Sequence, residues 1–171
     1  CFYVTRVLGF ETPTSAHLTL GSAVHGALET YYVEVRDAEA DGAEPPGRER
    51  LVALGDELLR GEWPDATPVS EGAFEKVRAQ LGIFWEKLHE PNAEILLLEG
   101  EGLGGARVQP FPYEYRGAHT MVAKLDRVDR RPDGGFRIID YKTGAATKKL
   151  LEPAKNDLQL SIYAMALQHH L

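Results

Sequence analysis

Apolar residues in the first half of the chain recur at the spacing of an α-helix. From Leu20 to Val35 they fall three or four positions apart, and two further segments with this period follow breaks that contain proline and glycine. Such spacing places the apolar side chains on one face of each helix. We therefore predict three helices before Pro91, with Ser70 as the N-cap of the third.

After Pro91 the period of the apolar residues falls to about 2, which is typical of β-strands. The pattern predicts strands at Ile95–Leu98, Val108–Tyr115 and His119–Asp129. A last helix, from about Ala154 to the end, is apolar nearly all round and is predicted to be buried. Helices, then antiparallel strands, then a helix indicate a mixed α+β fold rather than a doubly wound one.

A β-hairpin is predicted where Pro132-Asp133-Gly134-Gly135 separates two runs of β-branched and apolar residues. Asp140 and Lys142 close its second strand and share a face with Phe136 and Ile138. We predict that this strand is buried. Because an isolated buried charge is costly, the two charged side chains must pair with each other, bind a metal ion or open to a cleft.

The chain has 171 residues, 43% of them apolar, enough for one well-packed domain. We predict a single domain over residues 1–171 that contains a helical insertion at residues 36–93. No apolar run approaches the roughly 20 residues that span a bilayer, and the start lacks the layout of a secretion signal. The expected location is cytoplasmic, with no membrane partner.

The net charge of −7 is unevenly distributed. Residues 29–101 contain 7 Lys and Arg against 18 Asp and Glu, whereas residues 102–171 contain 11 against 7. A local basic surface for a polyanion can therefore exist on this acidic chain, although such charges are often only a solvated face. We call the following residues the basic footprint: Lys124, Arg127, Arg130, Arg131, Arg137, Lys142, Lys148, Lys149 and Lys155.

Polar residues at predicted core or sheet positions are candidates for chemistry. Asp126 and Asp140 lie on adjacent hairpin strands and can converge on one point, and carboxylate ligands of this kind suit Mg²⁺ or Mn²⁺. His25, four residues after Gly21 on the first helix, would favour Mn²⁺. Lys142 can hold an attacking water or offset charge on a phosphorane-like transition state.

Each of these features also has an ordinary structural explanation. A histidine on an apolar helix is more often a core or surface residue, and Asp140 and Lys142 can form an exposed ion pair worth under about 1 kcal/mol. Gln159 and Tyr163, one turn apart on the last helix, can contact a phosphate or sugar or can simply be helix surface.

Taken together and in order, these positions resemble the RecB-type branch of the PD-(D/E)XK nuclease superfamily. The matching set is Gly21-x-x-x-His25, Asp126, Asp140-x-Lys142 and Gln159-x-x-x-Tyr163. The resemblance covers most of the chain and implies a restriction-endonuclease-like core, in which helices flank a central, mostly antiparallel sheet.

The resemblance also implies roles for these residues. His25, Asp126 and Asp140 would bind Mg²⁺ or Mn²⁺ together with the backbone carbonyl of Tyr141. Lys142 would be catalytic beside the two aspartates. The implied DNA contacts are Gln159, Tyr163 and Arg127.

The implied activity is a divalent-metal-dependent DNA nuclease, an exonuclease acting on single strands or DNA ends in repair and recombination, with a helicase domain or subunit as partner. Two alternatives stay open. One is a DNA-binding scaffold in a helicase–nuclease complex that does not cut, and the other is hydrolysis of a different phosphodiester.

Some positions depart from the family pattern. Ala123 replaces a frequent glycine, and Gln109 stands where glutamate is common, with Glu114 nearby. Cys1 resembles the first of four iron–sulfur ligands in some relatives, but the other three are not in this chain. A strand and helix expected after the last helix are also missing. We infer that the native protein continues past Leu171, where a cluster would require further cysteines.

Overall fold

The computed structural model describes residues 16–62, 68–98, 111–115, 119–123, 125–143 and 158–170. The helices in these ranges are α1 (Ala16–Ala40), α2 (Arg48–Glu62), α3 (Glu71–Lys87) and α4 (Leu158–His170). The strands are β1 (Glu94–Leu98), β2 (Phe111–Tyr115), β3 (His119–Ala123), β4 (Arg127–Arg130) and β5 (Phe136–Ile139). The predicted order of elements and the α+β class are confirmed.

Helices α1, α2 and α3 pack against one another around the larger apolar core. Gly55 allows α2 to approach α3 closely, because a Cβ atom at this position would lie 2.5 Å from Leu81 Cδ1. Helix α3 begins after Ser70, as predicted, although the Ser70 side chain makes no capping hydrogen bond. Leu98 of β1 belongs to the same core and so joins the helices to the sheet.

Strands β1, β4 and β5 form an antiparallel sheet with β4 in the centre, and β2 pairs with β3 in a second sheet. The prediction of one strand over His119–Asp129 is wrong. Leu125 and Asp126 interrupt it, and β3 and β4 join different sheets. Leu125 packs into a smaller core with Leu97 and Val128, so the chain changes direction there. The alternation of polar and apolar residues continues across this bend, so the sequence pattern predicted one continuous strand.

Strands β4 and β5 form the predicted hairpin, with Gly134 in its turn at a φ of +81°. The prediction that the second strand is buried is wrong, since β5 lies at the edge of its three-stranded sheet and Phe136 is 41% exposed. The buried strand of the hairpin is the central one, β4. The predicted core-like face is therefore half-buried at Ile138.

Helix α4 packs against β2, β3 and β5. Its prediction as an element buried nearly all round is wrong for the side chains that the structure describes, of which Leu167 is buried and the others are half-buried or exposed. Leu167 and Tyr163 face the smaller core, because the sheet covers one side of the helix. Among the described helices, none is both long and apolar enough to cross a membrane.

Candidate metal and catalytic site

The register of the β4–β5 hairpin brings the two candidate aspartates to one end of the sheet. Arg127 pairs with Ile139 in this antiparallel ladder. Asp126 immediately precedes Arg127, at the bend that ends the interruption, and Asp140 immediately follows Ile139. Antiparallel pairing therefore places both carboxylates at the open end of the hairpin, opposite its turn. The two aspartates therefore lie at the same end of the hairpin, and their convergence on one metal ion stays a prediction.

Helix α1 contributes His25 to the same end of the hairpin. His25 Nδ1 lies 3.7 Å from Asp126 Oδ2, and the two side chains are 27% and 12% exposed. The same carboxylate oxygen accepts a hydrogen bond of 2.6 Å from the backbone N–H of Tyr141. The predicted ligands His25 and Asp126 are thus adjacent, and the Tyr141 amide fixes the orientation of the Asp126 carboxylate.

Lys142 forms an ion pair with Asp140 directly after β5. The lysine side chain is 47% exposed, whereas that of Asp140 is 15% exposed. The hydrogen bond to Asp140 raises the pKa of Lys142 above its usual value, partial burial opposes this change, and the negative charge of Asp126 reinforces it. Lys142 is therefore a cation at neutral pH that lies in the field of both aspartates.

The segment that carries Lys142 is held by helices α1 and α3. The Tyr141 ring makes edge contacts with His25, at a centroid separation of 5.8 Å, and with Phe84, at 5.7 Å. Gln80 Nε2 donates a 2.9 Å hydrogen bond to the carbonyl oxygen of Thr143. The contacts of Phe84 and Gln80 with this segment could not be predicted from the sequence, because nothing local in α3 marks a contact with a loop about 60 residues later.

Gly21 faces the same segment. A Cβ atom at this position would lie 3.1 Å from Thr143 Oγ1, which is a tight contact. Gly21 and His25 are four residues apart and so lie on the same face of α1. Gly21 lets that face lie close to Thr143, and His25 is a candidate metal ligand on the same face.

Arg127, an expected DNA contact, points into the protein. It is 2% exposed, and its guanidinium group makes two hydrogen bonds to Asp129, Nε to Oδ1 at 2.6 Å and Nη2 to Oδ2 at 2.8 Å. In this arrangement Arg127 does not reach a surface on which DNA could lie. Asp129 was not predicted as the partner of Arg127. The sequence contained a signal for it, since residues two apart on a strand share a face.

The described part of the basic footprint is largely neutralised by carboxylates. Five of its nine residues are described, and each lies within ion-pair distance of an acidic side chain. The pairs are Arg127–Asp129, Arg130–Glu94, Arg131–Asp133, Arg137–Glu90 and Lys142–Asp140. Lys124, Lys148, Lys149 and Lys155 lie outside the described residues. The interpretation of these five residues as a basic surface is not supported.

The remaining predicted site residues are less closely defined. Tyr163 is half-buried against the smaller core and is close enough to Lys142 to influence its pKa. Gln159 lies on α4, as expected, but its side chain is outside the described residues, and so is Cys1. The DNA-contact roles of Gln159 and Tyr163 stay predictions.

The chemistry of the donors fits a divalent cation. Asp126 and Asp140 offer hard carboxylate oxygens, and His25 offers an imidazole nitrogen next to one of them. Across the described residues, however, no three His, Cys, Asp or Glu side chains are arranged closely enough to hold a metal ion. The Asp140 carboxylate is instead paired with Lys142.

Comparison with known proteins identifies the family. Two carboxylates and a lysine at the end of a hairpin suit metal-assisted hydrolysis, and the family model described as the PD-(D/E)XK nuclease superfamily matches residues 1–171. The chain belongs to the PD-(D/E)XK nuclease superfamily. This membership indicates a nuclease, a hydrolase with DNA as substrate and a divalent metal ion as the usual cofactor. No curated protein and no solved structure gives a match.

Proposed function

We propose that the protein is a divalent-metal-dependent DNA nuclease that hydrolyses phosphodiester bonds at the open end of the β4–β5 hairpin. The observation that carries this proposal is the placement of Asp126 and Asp140 at one end of the hairpin, with Lys142 in the field of both, in a member of a nuclease superfamily. A purely structural hairpin has no need of two carboxylates beside one cation.

His25, Asp126 and Asp140, with the Tyr141 carbonyl, would hold the Mg²⁺ or Mn²⁺ ion. When bound, such an ion lowers the pKa of water and stabilises charge on the phosphate. The Tyr141 amide holds the Asp126 carboxylate in a fixed orientation. Lys142 is protonated and half-exposed, and it can stabilise negative charge on a phosphate that reaches Asp140.

The finer features of this proposal come from the sequence. They are a RecB-type exonuclease acting on DNA ends or single strands, a role in repair and recombination, a helicase domain or subunit as partner, and a cytoplasmic location. A single domain over residues 1–171, with residues 36–93 as a helical insertion, belongs to the same proposal. An iron–sulfur cluster that includes Cys1 is proposed only for a longer chain that supplies three more cysteines.

Cleavage of labelled single- and double-stranded DNA in EDTA, Mg²⁺ and Mn²⁺ tests the activity. We expect cleavage with either metal, none in EDTA, and loss of about 10²- to 10³-fold in Lys142→Ala. Asp140→Asn should lose activity as well. Asp133→Asn is the matched control, because Asp133 pairs with Arg131 at the other end of the same hairpin and is exposed. Cleavage that is equal in all four proteins would contradict the proposal.

The DNA-binding scaffold is the second candidate. The ion pair between Lys142 and Asp140 favours it, because this contact occupies two residues that catalysis would need. DNA binding that is unaffected by Asp126→Ala, with no cleavage in either metal, would support the scaffold and exclude the nuclease.

A further inference from the structure

A charged pair is buried directly behind the candidate site. Arg127 and Asp129 are 2% and 3% exposed, which makes Arg127 the largest fully buried side chain among the described residues. Their two hydrogen bonds join side chains on the same face of the central strand β4. We call these two residues the buried ion pair.

Aromatic rings enclose the buried ion pair. The Arg127 guanidinium carbon lies 3.8 Å from the centre of the Tyr32 ring, a cation–π contact. The Tyr141 ring belongs to the same aromatic cluster, because Phe84 makes edge contacts with both Tyr32, at a centroid separation of 6.2 Å, and Tyr141, at 5.7 Å. Burial raises the pKa of Tyr141, and the positive charge of Arg127 opposes this in part. The Tyr141 hydroxyl is itself buried and makes no hydrogen bond within the described residues. The side chain of Tyr141 therefore packs beside the ion pair while its backbone holds Asp126.

Stability alone does not account for such a pair. Removing two charges from water is costly, and replacing a buried ion pair by apolar residues of similar volume is often neutral or stabilising. What the pair does provide is a fixed orientation of the two side chains, because a two-point guanidinium–carboxylate contact holds both groups in one plane. This orientation matters for the candidate site because Arg127 is the next residue after Asp126.

We infer that Arg127 and Asp129 are positioning residues, which hold the Asp126 carboxylate and the Tyr141 amide in a fixed relative position beside the proposed metal site. Contacts lead in a closed circuit from Arg127 to the Tyr32 ring, through Phe84 to the Tyr141 ring, from the Tyr141 N–H to Asp126, and back along the chain to Arg127. The inference rests on the proposed function for the metal, but the circuit itself can be measured without metal.

The test compares the wild-type chain with the apolar double variant Arg127→Met, Asp129→Leu. Tyrosines labelled with ¹⁵N allow the exchange rate of the Tyr141 amide to be followed by NMR, and Tyr141→Phe assigns its signal among the 7 tyrosines. Mn²⁺ affinity is measured by the EPR signal of the free ion. We expect a folded variant whose Tyr141 amide exchanges about fivefold faster or more. Its Mn²⁺ affinity should be about 10- to 100-fold weaker.

A matched control removes a similar ion pair from the helices. Arg78 and Asp56 also make a two-point contact, Nε to Oδ1 at 3.0 Å and Nη2 to Oδ2 at 2.7 Å, between α3 and α2. Arg78→Met, Asp56→Leu should leave both readouts unchanged. The inference is overturned if the apolar variant of the buried pair keeps wild-type exchange and Mn²⁺ affinity, or if the control variant loses them equally.

Two further outcomes are also decisive. If the apolar variant does not fold, Arg127→Lys keeps the charge without the two-point contact, and an unchanged Tyr141 exchange rate in that variant overturns the inference. If the wild-type protein neither binds Mn²⁺ nor cleaves DNA, the proposed function fails, yet the metal-free exchange of the Tyr141 amide still decides whether the pair positions it.

Discussion

The α1–α3 helices and the β4–β5 hairpin bury different kinds of side chain. The helices enclose a large cluster of apolar residues, including Leu28, Leu51 and Leu81, and their ion pairs lie partly in solvent. The hairpin supplies Val128 to a much smaller core and buries an arginine and an aspartate beside it. Since partly exposed ion pairs contribute about 0–1 kcal/mol, the helices derive their stability from apolar packing.

The two regions therefore have different roles. The helices supply stability, and α1 and α3 contact the segment that carries Lys142 and hold it in place. The hairpin supplies the charged groups of the candidate site, which cost stability when they are buried. Substitutions in the helical core should therefore change the free energy of unfolding, and substitutions near the hairpin should change catalysis.

The largest expected effect on stability comes from Leu81→Ala. Leu81 is fully buried between α2 and α3, and its truncation leaves a cavity that should cost about 2–5 kcal/mol in the free energy of unfolding. Urea denaturation measures this value. Cleavage per folded molecule, measured well below the unfolding transition, should stay at the wild-type level.

Leu88→Ala is the control for that experiment, because Leu88 is 63% exposed and its truncation should cost no more than about 0.5 kcal/mol. A loss of catalysis in Leu81→Ala while the protein is still folded would show that the core also tunes the site. The proposed division between the two regions would then be wrong.

A smaller effect is expected from Gly55→Ala. The added Cβ would meet Leu81 Cδ1 at 2.5 Å and Val77 Cγ1 at 2.9 Å, both in the core, so these side chains must shift or α2 and α3 must move apart. Overpacking of this kind costs about 1–3 kcal/mol. Gly72→Ala, with open space at its Cβ, should instead gain up to about 1 kcal/mol from helix propensity. Thermal unfolding of both variants gives the comparison, and equal shifts would contradict it.

Gln80→Leu affects the contact between the two regions. It removes the hydrogen bond to the Thr143 carbonyl, whose net value is about 1 kcal/mol, and loosens the segment next to Lys142. Cleavage should fall about fivefold if that energy is fully used in the transition state. Lys76→Leu, which places a leucine on the exposed surface of α3 away from this contact, is the control and should cleave normally. Wild-type cleavage by Gln80→Leu would show that α3 does not support the site.

The sequence pattern predicted much of the fold because it depends on local periodicity. The spacing of apolar residues predicts the three helices and the change to strands after Pro91, and the Pro132-Asp133-Gly134-Gly135 run predicts the hairpin turn. The placement of Asp126 and Asp140 at one end of the hairpin was also predictable, since it follows once the two strands pair.

Features that depend on neighbours distant in sequence were not predictable. The edge position of β5, which exposes Phe136, depends on which strands pair in the sheet. The inward direction of Arg127 depends on Tyr32, about 95 residues earlier, and the contact between Gln80 and Thr143 depends on how α3 docks. The alternation of polar and apolar residues along a strand does not distinguish a charged side chain that faces solvent from one that faces a buried partner.

The smallest expected effect is a pH dependence from His89, which lies between the two regions. Burial lowers the pKa of His89, and the positive charge of Arg127 lowers it further. Its ring stacks on Trp85 at a centroid separation of 4.1 Å and is joined to the Tyr32 hydroxyl by a 3.2 Å hydrogen bond, with Tyr31 at its edge. The folded protein therefore favours the neutral imidazole.

The sign of the effect follows from this preference. As pH falls through about 6.5, the unfolded chain takes up a proton that the folded chain resists, so the free energy of unfolding falls until the lower folded-state pKa is reached. His89→Asn, whose amide oxygen can still accept from Tyr32, should show a shallower loss between pH 7 and pH 5 in urea denaturation. Glu90, whose pKa is lowered by its hydrogen bond to Arg137, titrates below this window. Parallel pH profiles for the two proteins would contradict this prediction and show that the burial of His89 adds no pH dependence to the stability.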